Sequence, residues 1–326
     1  MSTSATPVAQ FGAETRSDGA FVRQPNAFRE RITADGSSGF RAEPGRYHLY
    51  VSLACPWAHR SIVVRKLKRL EDVVSLSVVD PIRDDRGWAF RESSDGTYGP
   101  DPVNGFQFLS EAYLATDPAY QGRYTVPCVW DRVTRRLVTN DFPEISTQLA
   151  TQFDAFAERS VDLWPVELRP EMNAINALVY EHVNNGVYKA GFAASQWAYE
   201  AAFDALFGTL DELDHRLATQ RYLVGNRLTE SYVRLFTTLV RFDSVYYVHF
   251  KCNLRRLVDY PNLWPYARDL YQTPGFGETV NFDHIKRHYY MTHDRINPSR
   301  IVPKGPAIDW LARHGRDRLG PPALRA

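Results

Sequence analysis

A chain of 326 residues, 44% hydrophobic and 24% charged, suits one large globular domain or two smaller ones. Its 39 basic and 38 acidic residues leave a net charge of +1, which excludes the broad cationic face of a nucleic-acid binder. No run of about 18 apolar residues occurs, which excludes a membrane-spanning helix, and three cysteines are too few, and odd in number, for a disulfide framework.

Residues 1–46 are polar and glycine-rich and predict an extended arm. The first 20 lack the apolar core of a secretory leader. With so few cysteines, the expected compartment is the reducing cytoplasm. The apolar run Tyr47-His48-Leu49-Tyr50-Val51 then predicts a strand. A tight turn follows in Ser52-Leu53-Ala54-Cys55, and a helix begins near Pro56, because proline is tolerated in a first helical turn. Ile62, Val63, Leu67 and Leu70 give that helix its apolar face.

Cys55 therefore stands at a helix N-terminus, where unbonded backbone N–H groups and the positive end of the helix dipole favour the thiolate. A redox dithiol needs a second cysteine three residues on, and that place is Ala58. The natural product of Cys55 is thus a mixed disulfide with a small external thiol. A lone cysteine is more often buried and inert; the strand–Cys-Pro–helix context favours the reactive reading.

Val73 to Val79 predicts a second strand, and residues 82–120, punctuated by glycine and proline, a long functional loop. Thr125 to Trp130 and Leu137 to Asn140 predict a hairpin turning at 131–136. Asp141 reads as the N-cap of the next helix, with Glu144 completing a capping box. From about residue 165 the pattern is helical, with stripes at Phe203, Leu206, Phe207, Leu210, Leu213 and Leu217 and at Val233, Phe236, Leu239 and Val240. Gly225 and Asn226 mark a turn between them, and the last 40 residues read as irregular. The expected organisation is an arm (1–46), an α/β domain (47–155) and an all-α domain with an irregular tail (165–326). Core packing could absorb most of the 18 Tyr, 18 Phe and 7 Trp, and a pocket for flat aromatic ligands is the sharper reading. Nine His without metal-ligand spacing give no reason to expect a metal.

Strand, Cys-Pro helix, second strand and Val126-Pro127 before a hairpin resembles the thioredoxin-like order, and a helical second half resembles the glutathione transferase architecture. Six further segments sharpen the likeness: Arg46-Tyr-His-Leu-Tyr50, Gly87-Trp88-Ala-Phe90, Val183-Asn-Asn-Gly-Val-Tyr-Lys189, Arg234-Leu-Phe-Thr-Thr238, His249-Phe-Lys-Cys-Asn253 and Phe282-Asp-His-Ile-Lys-Arg-His-Tyr-Tyr290. Together they resemble the xi class, the S-glutathionyl-hydroquinone reductases, from about Phe21 to about Pro306.

The resemblance implies a thiol-dependent oxidoreductase acting on aromatic thioethers. The Cys55 thiolate attacks the sulfur carried by the ring, and a second small thiol then frees Cys55. It implies a cis Pro127, with the Val126 backbone offered to the bound thiol, Trp88 against the thiol cofactor, and Arg123 near its carboxylates. It implies Tyr188, Tyr246 and Tyr289 as the aromatic pocket, with Tyr188 and Tyr289 aiding proton transfer to the leaving ring carbon. Cys128 and Cys252 are expected to be structural. A homodimer is also implied.

Two segments depart from the family pattern. Where the family has Glu-Ser-Ser, this chain has Asp141-Phe142-Pro143, at the place that holds the γ-glutamyl end of glutathione. The change resembles family members from bacteria that use mycothiol, so the cofactor is glutathione or, as the alternative, mycothiol. The second departure is Tyr232, at a helix start where the superfamily places a capping aspartate; Thr229 or Ser231 is the expected substitute. These changes keep two other readings open: the same fold turned to another thiol-dependent reaction, or a non-catalytic interaction protein.

Overall fold

The arm is more than extended chain. In the computed structural model, which describes residues 14–322 and 324, Ile32–Thr33 (β1) pairs in parallel with Phe40–Arg41 (β2). Side chains from further along the sequence hold it: Phe28 N donates to Asn140 Oδ1 at 3.0 Å and Ile32 N to Gln148 Oε1 at 2.8 Å.

Tyr47–Val51 (β3) is buried at every residue, as a strand covered on both faces must be. It leads through a turn into Pro56–Leu67 (α1). Ser75–Val78 (β4) lies parallel to β3 on one side. On the other side Cys128–Asp131 (β5) runs antiparallel, and Arg136–Thr139 (β6) completes the order β4-β3-β5-β6. Arg46 donates to both carboxylate oxygens of Asp131, at 2.9 and 2.8 Å, and so clamps the start of β3 to the end of β5. His48 bridges Ser75 and Ser77 at 2.7 and 2.9 Å; burial pulls its pKa down to about 4, leaving a neutral ring that links β3 to β4.

The stretch expected to be loop from 82 to 120 contains a helix, Leu109–Thr116 (α2), between β4 and β5. Leu109, Ala112 and Tyr113 form its buried face, and Glu111 accepts from the backbone N–H groups of Gln107 and Phe108 at 2.9 and 2.8 Å. The glycines and prolines upstream hid it. That upstream loop is itself fixed by the buried Asp101, which accepts from the N–H groups of Val103, Asn104 and Phe106 and from the Tyr50 hydroxyl. After the hairpin comes Phe142–Thr151 (α3).

The helical half comprises Arg169–Leu178 (α4), Gly186–Gly191 (α5), Gln196–Arg216 (α6), Glu230–Arg241 (α7) and Leu263–Tyr271 (α8). Phe282–Thr292 (α9) follows, a helix reaching into the stretch expected to be irregular. All twelve residues of α7 are buried. At its start, neither Thr229 nor Ser231 replaces the missing aspartate: the N-cap Thr229 makes no side-chain capping bond. The Tyr232 hydroxyl instead donates to the carbonyls of Val224 and Arg227 and accepts from Val224 N, tying the preceding turn to α7. Gly225, with φ of 59°, makes that turn in the left-handed region.

The described residues form two compact units. The first contains 25–159 and 283–294, hence the sheet, α1 to α3 and nearly all of α9. The second contains 14–24, 160–282 and the described residues from 295 onward.

Candidate active site

Cys55 is the N-cap residue of α1, with extended backbone (φ −75°, ψ 121°) and no side-chain capping bond. Its N–H donates to Ser52 O at 3.1 Å, and its carbonyl accepts the first helical bond from His59 at 3.0 Å. The side chain is half-buried against the apolar cluster that includes Trp88, Tyr124, Val126 and Cys128. Sγ donates to Val126 O at 3.4 Å, and the Val126–Pro127 peptide is cis, as expected. That contact belongs to the protonated thiol. A thiolate has nothing to donate and is favoured instead by the N–H groups opening α1. Cys128 and Cys252 are the contrast: both are fully buried, and burial pushes both thiols far up from their ordinary range.

Trp88 follows Gly87, whose φ of 103° turns the loop, and is buried in the same cluster as Val126. One face of its indole meets the His288 imidazole, stacked with centroids 4.8 Å apart and planes 22° apart. The next residue of α9 is Tyr289, almost wholly buried, with its ring edge-on to His288 at 5.3 Å and to His293 at 5.4 Å. Trp88 and Tyr289 are expected site residues; His288 is not among them, although it lies in the same motif as Tyr289 and in the same unit as both.

The start of α3 differs from expectation. Asp141 is its N-cap residue, but its carboxylate does not cap the helix and no capping box forms. It accepts from Asn26 Nδ2 at 2.9 Å and Arg29 Nε at 3.1 Å, both on the arm, while Glu144 pairs with Arg31 at 3.0 Å. Phe142 is buried, its ring 4.5 Å from that of Trp57, with the buried Arg60 guanidinium over both rings at 4.8 and 5.6 Å. Pro143, in the first turn, has no N–H to offer a ligand. Arg123 is half-buried, and its carbonyl accepts from the Tyr120 hydroxyl at 2.8 Å.

In the second unit the structure brings Tyr188 and Tyr246 together, centroids 6.1 Å apart. Phe250, which the sequence reading missed, packs on both, at 5.4 Å from Tyr188 and stacked at 5.5 Å on Tyr246. Gly191 permits this, since a Cβ there would overlap the Phe250 ring. Arg23 adds a guanidinium over Tyr188 at 5.0 Å. Tyr188 lies in α5, which follows the π-helical stretch Val179–Asn184, and Tyr246 ends the π-helical stretch Phe242–Tyr246 that continues α7. Such irregularities often mark functional positions. Asn184 fixes the first by donating to Arg234 O and Thr238 Oγ1 at 2.9 and 2.7 Å.

Comparison with known proteins matches residues 54–152 to the glutathione S-transferase N-terminal domain and 196–269 to its C-terminal domain. A solved structure of the glutathione S-transferase Xi from Phanerochaete chrysosporium superposes with a TM-score of 0.88 at 47% identity, covering 92% of this chain and 96% of that one. The chain belongs to the xi class of the glutathione transferase family. This xi-class protein is 49% identical over 311 residues to the glutathionyl-hydroquinone reductase YqjG of Escherichia coli (strain K12), covering 93% of one chain and 94% of the other. It is 48% identical to the glutathionyl-hydroquinone reductase PcpF of Sphingobium chlorophenolicum, over 89% and 91%. The glutathione-bound structure of YqjG matches with a TM-score of 0.87 over 89% of this chain and 96% of that one. The fold is thus a thioredoxin-like sheet domain with a helical domain. Among the described residues, no acidic, histidine or cysteine cluster is arranged to hold a metal, and no helix is long and apolar enough to cross a membrane.

Proposed function

We propose that this xi-class protein reduces S-conjugated hydroquinones through a mixed disulfide on Cys55. One observation carries the reading: Cys55 alone of the three cysteines is accessible, and it occupies the N-cap position of α1, its sulfur beside Val126. Relatives named as glutathionyl-hydroquinone reductases support the substrate class. In the first step the Cys55 thiolate forms an S–S bond with the conjugate's sulfur while the carbon–sulfur bond breaks. The electron pair goes to the ring carbon, which takes a proton as the hydroquinone leaves; Tyr188 or Tyr289 serves as acid or electrostatic aid. In the second, a thiolate attacks the mixed disulfide and releases Cys55 and a small-molecule disulfide. Trp88, Arg123, Val126 and Pro127 are the proposed thiol-side residues, and Tyr188, Tyr246 and Tyr289 the aromatic ones. We read the active form as a cytoplasmic homodimer, in keeping with the family and with three cysteines that form no disulfide.

The test is intact-mass analysis of the protein after exposure to the glutathione conjugate of hydroquinone with no second thiol present. An adduct of one thiol on Cys55 and release of one hydroquinone are expected. Hydroquinone release with Cys55 unmodified would overturn the route.

The second thiol is the finer question. Asp141 is engaged by Asn26 and Arg29, Phe142 is packed on Trp57, and Pro143 lacks a donor. The usual partners of a γ-glutamyl ammonium and carboxylate are therefore reduced. Leaving such a group unmatched costs about 1–3 kcal/mol, or roughly five- to hundredfold in affinity. Glutathione is expected to bind weakly, with a sugar-bearing thiol such as mycothiol preferred. Calorimetry with both thiols decides it: tight, preferential glutathione binding would restore glutathione as the ordinary partner.

A further inference from the structure

We propose that His288 is a positioning residue whose single imidazole holds Trp88 on the thiol side of the site and Tyr289 beside it. The proposal rests on the reading of Trp88 as a wall of the thiol site. It begins from a contact between residues far apart in sequence, the near-parallel stack of His288 on Trp88. The imidazole is itself fixed at its other edge: Nδ1 lies 2.9 Å from Pro81 O. A carbonyl only accepts, so Nδ1 carries the proton, and that bond holds one edge of the ring while the stack holds its face. Both residues are buried, so no water competes for the bond or the stack.

The loop that carries Trp88 is braced on its own side. Asp80 N donates to Ala89 O at 2.9 Å, Arg91 reaches Asp80 and Asp84 at 2.9 and 2.7 Å, and Leu109 N donates to Trp88 O at 2.9 Å. The backbone of Trp88 is thus fixed, and the orientation left to its indole is decided by what meets its face. Arg83 lies over the ring at 5.6 Å, and His288 provides the flat partner. The helix that delivers His288 is secured one turn earlier, where His284 Nε2 meets Thr97 Oγ1 at 2.9 Å. Within the helix itself, Thr292 Oγ1 donates to His288 O at 2.6 Å, one turn later. Because Tyr289 follows directly and turns its edge to the same imidazole, any shift of His288 moves Tyr289 too. A ring that touches Trp88 on one side and Tyr289 on another couples thiol placement to placement of the proposed acid.

Three full-length variants test this with the glutathione conjugate of hydroquinone as substrate. His288→Phe keeps a flat ring and loses the Pro81 bond. His288→Asn and His288→Gln keep a donor and lose the ring. The expected result is that H288N and H288Q raise KM and lower kcat, together by about tenfold, while H288F stays within about threefold of the parent. The near-ultraviolet circular dichroism of the tryptophans should change in H288N and H288Q and persist in H288F, and melting temperatures are recorded for all. Parental kinetics and spectrum in a folded H288N or H288Q would overturn the proposal. So would equal losses in H288F and the amide variants, because the stack would then not be the feature that matters. Trp88→Phe, assayed alongside, separates the two levels. If it leaves KM and kcat at parental values, the reading of Trp88 has failed. If it impairs them while the amide variants do not, only the role of His288 has failed.

Discussion

Serine at position 55 is expected to lower turnover of a thiol–hydroquinone conjugate by about a thousandfold or more. The oxygen nucleophile is the wrong element for the step: attack on sulfur needs a polarisable thiolate that ionises near neutral pH, and the product needs an S–S bond. The position also matters, since α1 places the side chain at its N-terminus and half-exposes it there. Cys128→Ser and Cys252→Ser are expected to keep most activity per folded molecule. Both thiols are fully buried, and burial opposes their ionisation. Steady-state assays of the three variants, with circular dichroism to confirm folding, give the answer. A Cys55→Ser protein with parental turnover would end the mixed-disulfide mechanism, and inactivity of a folded Cys128→Ser would move the nucleophile.

The largest stability effect is expected far from the thiol, at Asp269 on α8. Its carboxylate takes two hydrogen bonds from Arg221, from Nε at 2.9 Å and Nη2 at 2.7 Å, and both side chains are about 95% buried. Arg316 lies close, with Nε 3.9 Å from the same carboxylate. It also donates to the carbonyls of Leu217, Gln220 and Arg221, so this cluster fastens the C-terminal segment to the helical unit. Asp269→Ala removes the buried anion and leaves Arg221, itself buried, with the exposed Asp317 at 3.2 Å and the Gly320 carbonyl on its Nη1 only. Breaking a buried pair from one side costs about 3–5 kcal/mol, and the low end is expected here because Arg221 loses its two-point buried partner but keeps Asp317 on its other side. Asp269→Asn, which retains an acceptor, should lose less. Urea unfolding followed by far-ultraviolet circular dichroism measures both. An Asp269→Ala midpoint equal to the parent's would show that solvent reaches Arg221 on its own.

What could be read from the sequence was what depends on neighbours a few residues apart. The strand before Cys55, the proline opening α1 and the missing second cysteine at Ala58 are all within one short segment, so the candidate nucleophile was legible before the fold. The hairpin and the stripes of α6 and α7 were legible for the same reason, since periodicity records which face is buried. The resemblance supplied Trp88, Val126, Tyr188 and Tyr289 by motif, without saying what each touches.

The capping box at Asp141 shows where local reasoning stops. The spacing to Glu144 was right, but the carboxylate turned to Asn26 and Arg29, residues 115 and 112 positions away in the chain. The lost aspartate at the start of α7 was visible, but its remedy was not, because the Tyr232 hydroxyl bonds a turn whose position depends on how that turn packs. Helix α2 was hidden by the glycines and prolines before it, and its buried face has meaning only against the sheet. By itself the sequence determined the class of fold and the family, and it singled out Cys55 as the proposed nucleophile. Only the tertiary structure decided which distant partner claims each polar or aromatic side chain, such as His288 on Trp88 or Phe142 on Trp57. The physical reason is that such contacts compete with local ones, and the winner is set by which chain segments the packed core brings within reach.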